Sequence, residues 1–309
     1  MRNAVAVIDV GSNSIKLLVA ALCGDGSIET KFSETVETRI SGGISRELPV
    51  LSKTAMASGI DTIIELLRQA REFKPERIAI VATSAVRDAM NGMDFIDAVE
   101  EATGFEIRVL SGMEEARYIG KGLGCDPAVA GIRNFIQMDI GGGSLELIRL
   151  RDTQIEQVTS LRLGAVRISE RFIGDPRAPV SRHEETAIHA YITAELTQSC
   201  FFFAPDSLPL IATGGAFVVS RAVLAAQAGV DIEAYSPTLQ YADLERLKNR
   251  LCALSLHERL AVPHLPASRA DIIPGALITI LAVLRHARRQ QITHSFYNLR
   301  YGIAAELLA

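Results

Sequence analysis

A short acidic–glycine segment occurs twice in the chain, as IDVGSNS at 8–14 and as MDIGGGS at 138–144. Each copy lies between two apolar runs, which predicts a strand, a tight turn and a second strand. Glycine lets successive backbone N–H groups converge on one point, and such a nest binds anions. Because Asp9 or Asp139 would repel a bare anion, its position indicates a hard cation such as Mg²⁺ between carboxylate and phosphate. The repetition predicts a phosphate site built from two related halves.

A strand-to-helix junction near residue 111 carries two adjacent acids. Ser111 and Glu114 fit the S-x-x-E capping box, which gives Glu114 a structural role at a helix N-terminus. Glu115 then remains in the same first turn, at the kind of junction where α/β sheets place ligand-binding groups. The alternative is that both acids are there because they favour the positive end of the helix dipole.

Two more junctions and one strand position add ligand-binding candidates. Arg87 lies in the first turn of a predicted helix, where a cation is unfavourable unless an anion is bound nearby; an exposed arginine without such a role fits equally well. The glycine pair at 214–215 follows a predicted strand, so its N–H groups lie at a helix start that can bind an anion. Glu146 could share a cation with Asp139, or could belong to the polar face of a hairpin.

Composition excludes several classes of protein. A chain of 309 residues suits two domains, and a net charge of −4 gives no electrostatic footprint for duplex nucleic acid. The four cysteines are far apart, which excludes C-x-x-C zinc and redox motifs. The longest apolar run, 272–284, is too short to span a bilayer, and Asp9 and Asn13 interrupt the apolar start. We therefore expect a soluble, cytoplasmic protein with no membrane or duplex nucleic acid partner.

The predicted elements follow a similar order in the two halves. Each half opens with a hairpin and a third extended segment, at 35–40 and at 156–161, before helices and strands alternate. This order predicts a mixed sheet flanked by helices. The clearest helices are expected at 51–73 with Ser52 as N-cap, at 183–200, from about Pro274 onward, and at 301–308.

Taken together, these residues resemble the exopolyphosphatase / guanosine pentaphosphate phosphohydrolase (Ppx/GppA) family of the actin–hexokinase–Hsp70 superfamily. The carriers are IDVGSNS at 8–14, ATSAVRDA at 82–89, LSGMEEARYIGKG at 110–122, MDIGGGSLEL at 138–147, ATGG at 212–215 and RADIIPGA at 269–276. The resemblance implies an α/β fold of duplicated ribonuclease H-like (actin-like ATPase) domains, with mixed five-stranded sheets flanked by helices and a cleft between the domains. The domains are expected at 1–123 and 124–299, and the helix at about 300–309 is a candidate to pack back on the first.

The resemblance also implies roles for individual residues. Glu115 would activate or orient the attacking water, and Asp139 and Glu146, together with Asp9, would hold Mg²⁺ or another divalent cation such as Mn²⁺. Lys16 and Arg269 are further candidates for contact with the substrate. The phosphate-binding residues would be Gly11, Ser12, Asn13, Ser14, Arg87, Gly141, Gly142, Gly143, Ser144, Gly214 and Gly215.

The implied reaction is removal of the terminal phosphate from inorganic polyphosphate or guanosine pentaphosphate by metal-assisted attack of water. The sequence does not choose between these substrates, and a homodimer is a further candidate state. The chain matches the short two-domain form, and Tyr301 stands where the family's G-L-R-E-G run has its acid. The alternatives are a small-molecule kinase of the same superfamily and a sensor that binds an alarmone or polyphosphate without turnover.

Overall fold

The computed structural model describes residues 4–129, 131–152, 154–203 and 208–309. The chain divides into two compact units, one of Met1–Ile132 with Tyr297–Ala309 and the other of Arg133–Phe296. Residues 124–132 and 297–299, which we expected in the second domain, thus lie in the first unit. Turns that continue the preceding helix explain part of this difference, since the N–H groups of Cys125 and Asp126 donate to the carbonyls of Gly122 and Leu123.

The first unit is a five-stranded sheet with helices. The elements are β1 (Ala4–Val10), β2 (Ile15–Leu22), β3 (Ile28–Val36), α1 (Lys53–Glu72), β4 (Arg77–Ala82), α2 (Ser84–Asp88), α3 (Gly92–Thr103), β5 (Ile107–Val109) and α4 (Gly112–Leu123). Strands β1 and β2 form the predicted hairpin around the first acidic–glycine loop, and the strand order is β3-β2-β1-β4-β5, with β4 and β5 parallel to β1.

The second unit repeats this plan with one more strand. The elements are β6 (Phe135–Ile140), β7 (Leu145–Arg151), β8 (Gln154–Leu161), α5 (Ala165–Phe172), α6 (Arg182–Gln198), β9 (Leu210–Thr213), α7 (Gly215–Gln227), β10 (Thr238–Gln240), α8 (Tyr241–Ala253), α9 (Leu256–Leu260), α10 (Ile273–His286) and β11 (Gln291–His294). The described strands run in the order β10-β11-β9-β6-β7-β8, so the prediction of five strands is wrong for this unit. The extra strand, β10, is only three residues long and pairs antiparallel with β11 at the sheet edge.

The last helix, α11 (Leu299–Leu308), belongs to the first unit, where it packs against α4, β1 and β2. Its buried residues are Leu299, Arg300, Gly302, Ile303 and Ala304. No helix in the described parts of the chain combines the length and hydropathy needed to cross a membrane.

The third strand of the first unit begins earlier than the sequence pattern indicated. It covers Ile28–Val36 and pairs antiparallel with the whole of β2, from Leu22 opposite Ile28 to Ile15 opposite Val36. Because this strand lies at the edge of the sheet, most of its side chains are polar and exposed. A search for apolar runs therefore does not detect it. The predicted continuation to residue 40 is instead a loop in which Arg39 adopts a φ of 44°.

The core of the second unit contains a histidine with an unusual environment. His294, at the end of β11, is 3% exposed, and neither ring nitrogen has a hydrogen-bond partner among the described residues. Its ring stacks on Phe217 and meets Phe296 edge-on, with centroids 6.4 and 4.8 Å apart. Burial, and then the charge of Arg221, lowers the pKa of His294 from 6.5 to about 3.

We expect His294 to make the stability of the protein sensitive to acid. Between pH 6.5 and about pH 3, His294 is protonated in the unfolded chain but neutral in the folded chain. The free energy of unfolding is therefore not reduced by this histidine above pH 6.5, and it decreases as the pH falls below 6.5. Well below pH 6.5 and above pH 3 the slope is about 1.4 kcal/mol per pH unit. Denaturant unfolding at pH 5.5, 5.0 and 4.5 should show a wild-type slope that is steeper by about this amount than the slope of His294→Phe. Equal slopes would contradict the assignment.

Candidate functional site

The second acidic–glycine loop is held from one side by the start of α5. The first two N–H groups of α5 donate to the carbonyls of Gly141 and Gly142 at 2.9 and 2.8 Å. The side-chain Nε of Arg167 donates to the carbonyl of Gly143 at 2.9 Å. In a trans peptide the carbonyl and the next N–H point in opposite directions. The N–H groups of residues 142–144 therefore point away from α5, which is the arrangement that an anion nest requires.

The loop and α5 approach each other so closely that only glycine fits at the helix N-cap. A Cβ added at Gly164 would lie 2.4 Å from the carbonyl carbon of Gly142 and 2.4 Å from that of Gly143. Both Gly164 and Arg167 contact this loop, and our sequence reasoning missed them. The signal was present, since a glycine and an arginine three residues apart open a helix directly after the third strand.

A row of polar side chains crosses the second sheet beside this loop. Glu146 lies directly opposite Asp139 in the antiparallel β6–β7 pair, and their neighbours on the flanking strands β9 and β8 are Thr213 and Ser160. Partners in register project from the same face of a sheet. The Thr213 hydroxyl donates to Asp139 Oδ2, and the Ser160 hydroxyl donates to Glu146 Oε1 at 2.7 Å. Glu146 is fully buried, whereas Asp139 is half-buried.

These two carboxylates fit the requirements of a magnesium ion. Mg²⁺ usually takes one or two carboxylates and fills its other positions with water and substrate phosphate. Like charges directly opposite each other destabilise a strand pair, and a dication relieves that repulsion. The described residues contain no cluster of three or more His, Cys, Asp or Glu side chains arranged to hold a metal, so a site here would depend on non-protein ligands as well.

The glycine pair at the end of β9 brings two more groups together. Gly214 has a φ of 106°, and an added Cβ would lie 2.5 Å from the carbonyl oxygen of Ile140 and 3.2 Å from Asp139 Oδ1. The guanidinium of Arg269 lies against Gly215, where an added Cβ would be 2.2 Å from Nη1. The structure therefore places Arg269, a predicted substrate contact, at the predicted phosphate loop of residues 214–215.

The first acidic–glycine loop is also held through its backbone carbonyls, but the donors come from the 39–41 segment. The carbonyl of Ser12 accepts from the hydroxyl of Ser41 at 2.8 Å, and that of Asn13 accepts from the N–H of Arg39 at 2.9 Å. The N–H groups of Asn13 and Ser14 thus point away from the segment that holds the loop. We assigned Ser12 and Asn13 to phosphate binding, but the side chain of Asn13 donates to Glu37, and the Ser12 and Ser84 hydroxyls lie 2.9 Å apart.

The predicted catalytic acid, Glu115, lies in the first turn of α4 and is 8% exposed. Its Oε2 accepts from Arg87 Nη1 at 2.9 Å, and the same Nη1 lies 2.9 Å from the carbonyl oxygen of Leu110. Arg87, which we assigned to phosphate, is thus also a partner of the candidate general base. This pairing bridges the two junctions at α2 and α4, and no local pattern in the sequence could reveal it.

The neighbouring acid, Glu114, has the structural role that the sequence predicts. Its carboxylate accepts from the N–H of Ser111 at 3.0 Å, and the Ser111 hydroxyl accepts from the N–H of Glu114 at 3.2 Å, which completes the capping box. The backbone bond to Ser111, and then the bond from Arg108, lowers the pKa of Glu114 to about 2. The two adjacent acids therefore have separate partners. Glu114 contacts Ser111 and Arg108, whereas Glu115 contacts Arg87.

Helix α4 is fixed in turn by a close crossing with α11. A Cβ added at Gly122 would lie 2.1 Å from the carbonyl oxygen of Asn298, and one at Gly302 would lie 1.8 Å from that of Tyr118. The Tyr118 hydroxyl donates to Glu306 at 2.6 Å. The glycines at 120–124, which fit no nucleotide-binding motif, thus include one that allows this contact.

Comparison with known proteins extends these observations. A profile of the Ppx/GppA phosphatase family matches residues 19–309. A guanosine-5'-triphosphate,3'-diphosphate pyrophosphatase of Vibrio vulnificus (strain YJ016) is 31% identical over 304 residues, which are 98% of this chain and 59% of the relative. The chain therefore spans somewhat more than half the length of that curated relative.

Two solved structures share the fold. An exopolyphosphatase from Cytophaga hutchinsonii ATCC 33406 has a TM-score of 0.87 and 26% identity, over 99% of this chain and 98% of the other. The Ppx/GppA protein of Aquifex aeolicus has a TM-score of 0.79 and 23% identity, over 100% and 98% of the two chains. Since the profile covers the Glu115 helix, the second acidic–glycine loop and the 214–215 glycine pair, the chain belongs to the Ppx/GppA phosphatase family.

Proposed function

We propose that the protein is a metal-dependent phosphohydrolase that removes the terminal phosphate from inorganic polyphosphate or guanosine pentaphosphate by attack of water. The observation that carries this proposal is the pairing of a nest of N–H groups at residues 142–144 with two facing carboxylates, Asp139 and Glu146. A nest of this kind binds a phosphate, and a pair of carboxylates binds the cation that accompanies it. The activities named for the Vibrio and Cytophaga relatives support the same reaction class.

Phosphoanhydride hydrolysis depends mainly on neutralising charge and on positioning the nucleophile. In this proposal Asp139 and Glu146 hold Mg²⁺, which neutralises charge on the phosphate oxygens when it is bound. The N–H groups of both acidic–glycine loops bind phosphate oxygens, and so does Arg269, which lies against the glycine pair at 214–215. Within each unit the loop is already held in place, by the 39–41 segment in the first unit and by α5 in the second.

Glu115 is assigned the role of general base, which accepts the proton of the attacking water. The water oxygen attacks the terminal phosphorus, the bond to the bridging oxygen breaks, and the shortened chain leaves while Glu115 takes the water proton. Arg87 fixes the orientation of this carboxylate through its 2.9 Å contact with Oε2. A carboxylate that is both buried and oriented is what a general base needs, whereas binding alone would not require it.

The proposal is tested by measuring phosphate release from long-chain polyphosphate, guanosine pentaphosphate and ATP in parallel, with Mg²⁺, with Mn²⁺ and with a chelator. Release from either of the first two that stops with the chelator would support the proposal and identify the substrate. Tight binding without release would favour a sensor, and ATP-dependent phosphorylation of sugars or carboxylates would favour a kinase. A homodimer and a cytoplasmic location stay predictions.

A further inference from the structure

The two acidic–glycine loops are duplicated, but the residue opposite the acid differs between them. In the first hairpin Asp9 lies opposite Lys16, and in the second Asp139 lies opposite Glu146. These positions are equivalent, because the two loops have the same length and each partner is the second residue of the returning strand. The duplicated position thus holds a cation in one unit and an anion in the other.

The first unit uses its lysine as a local counter-ion. Lys16 Nζ lies 3.9 Å from Asp9 Oδ2, and the two side chains are 22% and 10% exposed. Such a partly buried pair is screened by salt less than a surface pair. A dication placed at Asp9 would meet the ammonium group of Lys16 at close range and be repelled by it.

A second cation acts on Asp9 from the other end of the chain. Arg300, near the start of α11, is 8% exposed, and its Nη1 donates to the carbonyl of Leu17 at 2.8 Å and to the Ser33 hydroxyl at 3.2 Å. Burial lowers the pKa of Arg300, and the negative charge of Asp9 opposes part of that shift. Leu17 follows Lys16, which lies opposite Asp9 in the hairpin, so the Arg300 guanidinium is held beside the Lys16–Asp9 pair.

We infer that Asp9 is a structural counter-ion for Lys16 and Arg300, and that the divalent cation binds only at the second copy, through Asp139 and Glu146. This inference rests on the proposed metal site and revises the role that the sequence predicted for Asp9. Asp9 would then stabilise the hairpin and the docking of α11, whereas Asp139 would bind metal. The aspartates of the two loops would then have different roles, one structural and one in metal binding.

The test compares Asp9→Asn with Asp139→Asn by two measurements on the full chain, Mn²⁺ binding by electron paramagnetic resonance and thermal unfolding. We expect the wild type to bind one Mn²⁺. Asp9→Asn should keep that ion within about threefold in affinity but lose about 5 °C or more in melting temperature, because it leaves two cations without their partner. Asp139→Asn should lose Mn²⁺ affinity by tenfold or more, with little change in melting temperature. Glu29→Gln, at an exposed acid 2.7 Å from Lys31, is the matched surface control.

The inference is overturned if Asp9→Asn loses Mn²⁺ binding, if the wild type binds two ions, or if it binds none. Should Asp9→Asn fail to fold, Lys16→Met provides a second route, since it keeps Asp9 and Arg300 and should lower the melting temperature while leaving one bound ion. Loss of the bound ion in Lys16→Met, or an unchanged melting temperature, would count against the inference. Because both measurements are independent of turnover, a lack of phosphate release would refute the proposed function without deciding this question.

Discussion

Replacing Glu115 with glutamine is expected to slow phosphate release by about 10²–10⁴-fold while leaving the fold and metal binding intact, because a general base contributes a factor of this size. Glutamine keeps the shape of the side chain and can still contact Arg87, but it cannot take the water proton. Steady-state phosphate release, together with Mn²⁺ binding and the melting temperature, separates loss of chemistry from loss of structure. The fall should be in kcat, since the substrate contacts assigned to the loops remain.

Glu114→Gln is the matched control for this experiment. It removes a carboxylate from the adjacent position of the same helical turn, where the acid contacts Ser111 and Arg108. Glutamine can preserve the capping box, so we expect the rate to stay within about threefold of the wild type. If both variants lose activity equally, or if Glu115→Gln retains the wild-type rate, Glu115 is not the general base.

Gly164→Ala should displace the phosphate-binding loop while changing none of the side chains assigned to the reaction. The added methyl group would lie 2.4 Å from the backbone of Gly142 and of Gly143, so α5 and the loop must move apart. Overpacking of this kind costs about 1–3 kcal/mol of stability. A shift of about 1 Å in the N–H groups at 142–144 could slow the reaction by about 10²-fold. Denaturant unfolding and phosphate release measure the two effects.

Gly174→Ala controls for the change of glycine to alanine near the other end of α5. The only described atom within 4 Å of an added Cβ there is Glu184 Oε1 at 3.8 Å, so a methyl group fits. We expect wild-type stability within about 0.5 kcal/mol and an unchanged rate. Equal losses in the two variants would mean that the contact between Gly164 and the loop does not position the phosphate site.

Local signals in the sequence predicted much of the fold because they act over a few residues. The capping box of Ser111 and Glu114 and the N-cap of Ser52 are contacts over three residues, and the structure confirms both. The two hairpins were predictable for the same reason, since apolar runs flank a glycine turn. By contrast, β10 is too short and too polar to be recognised, and only its pairing with β11 defines it as a strand.

The groups that hold the site in place were beyond the reach of the sequence. Arg87 contacts Glu115 across 28 positions of the chain, and Arg167 contacts Gly143 across 24. An arginine at a helix start is compatible with a phosphate, a carboxylate or a carbonyl partner, and only the packing of the elements decides among them. Sequence reasoning therefore finds the groups that could carry the chemistry more readily than the groups that orient them.

The return of α11 to the first unit has a consequence for the order in which the protein is built. The surfaces of α4, β1 and β2 that α11 covers are synthesised long before it, because residues 133–296 come between them. At roughly 5–20 residues per second, a ribosome needs on the order of 10 s to make the intervening segment. During that interval the apolar surface that α11 covers in the complete protein stays exposed on the first unit. The first unit is thus completed only after the whole segment of the second unit has been made.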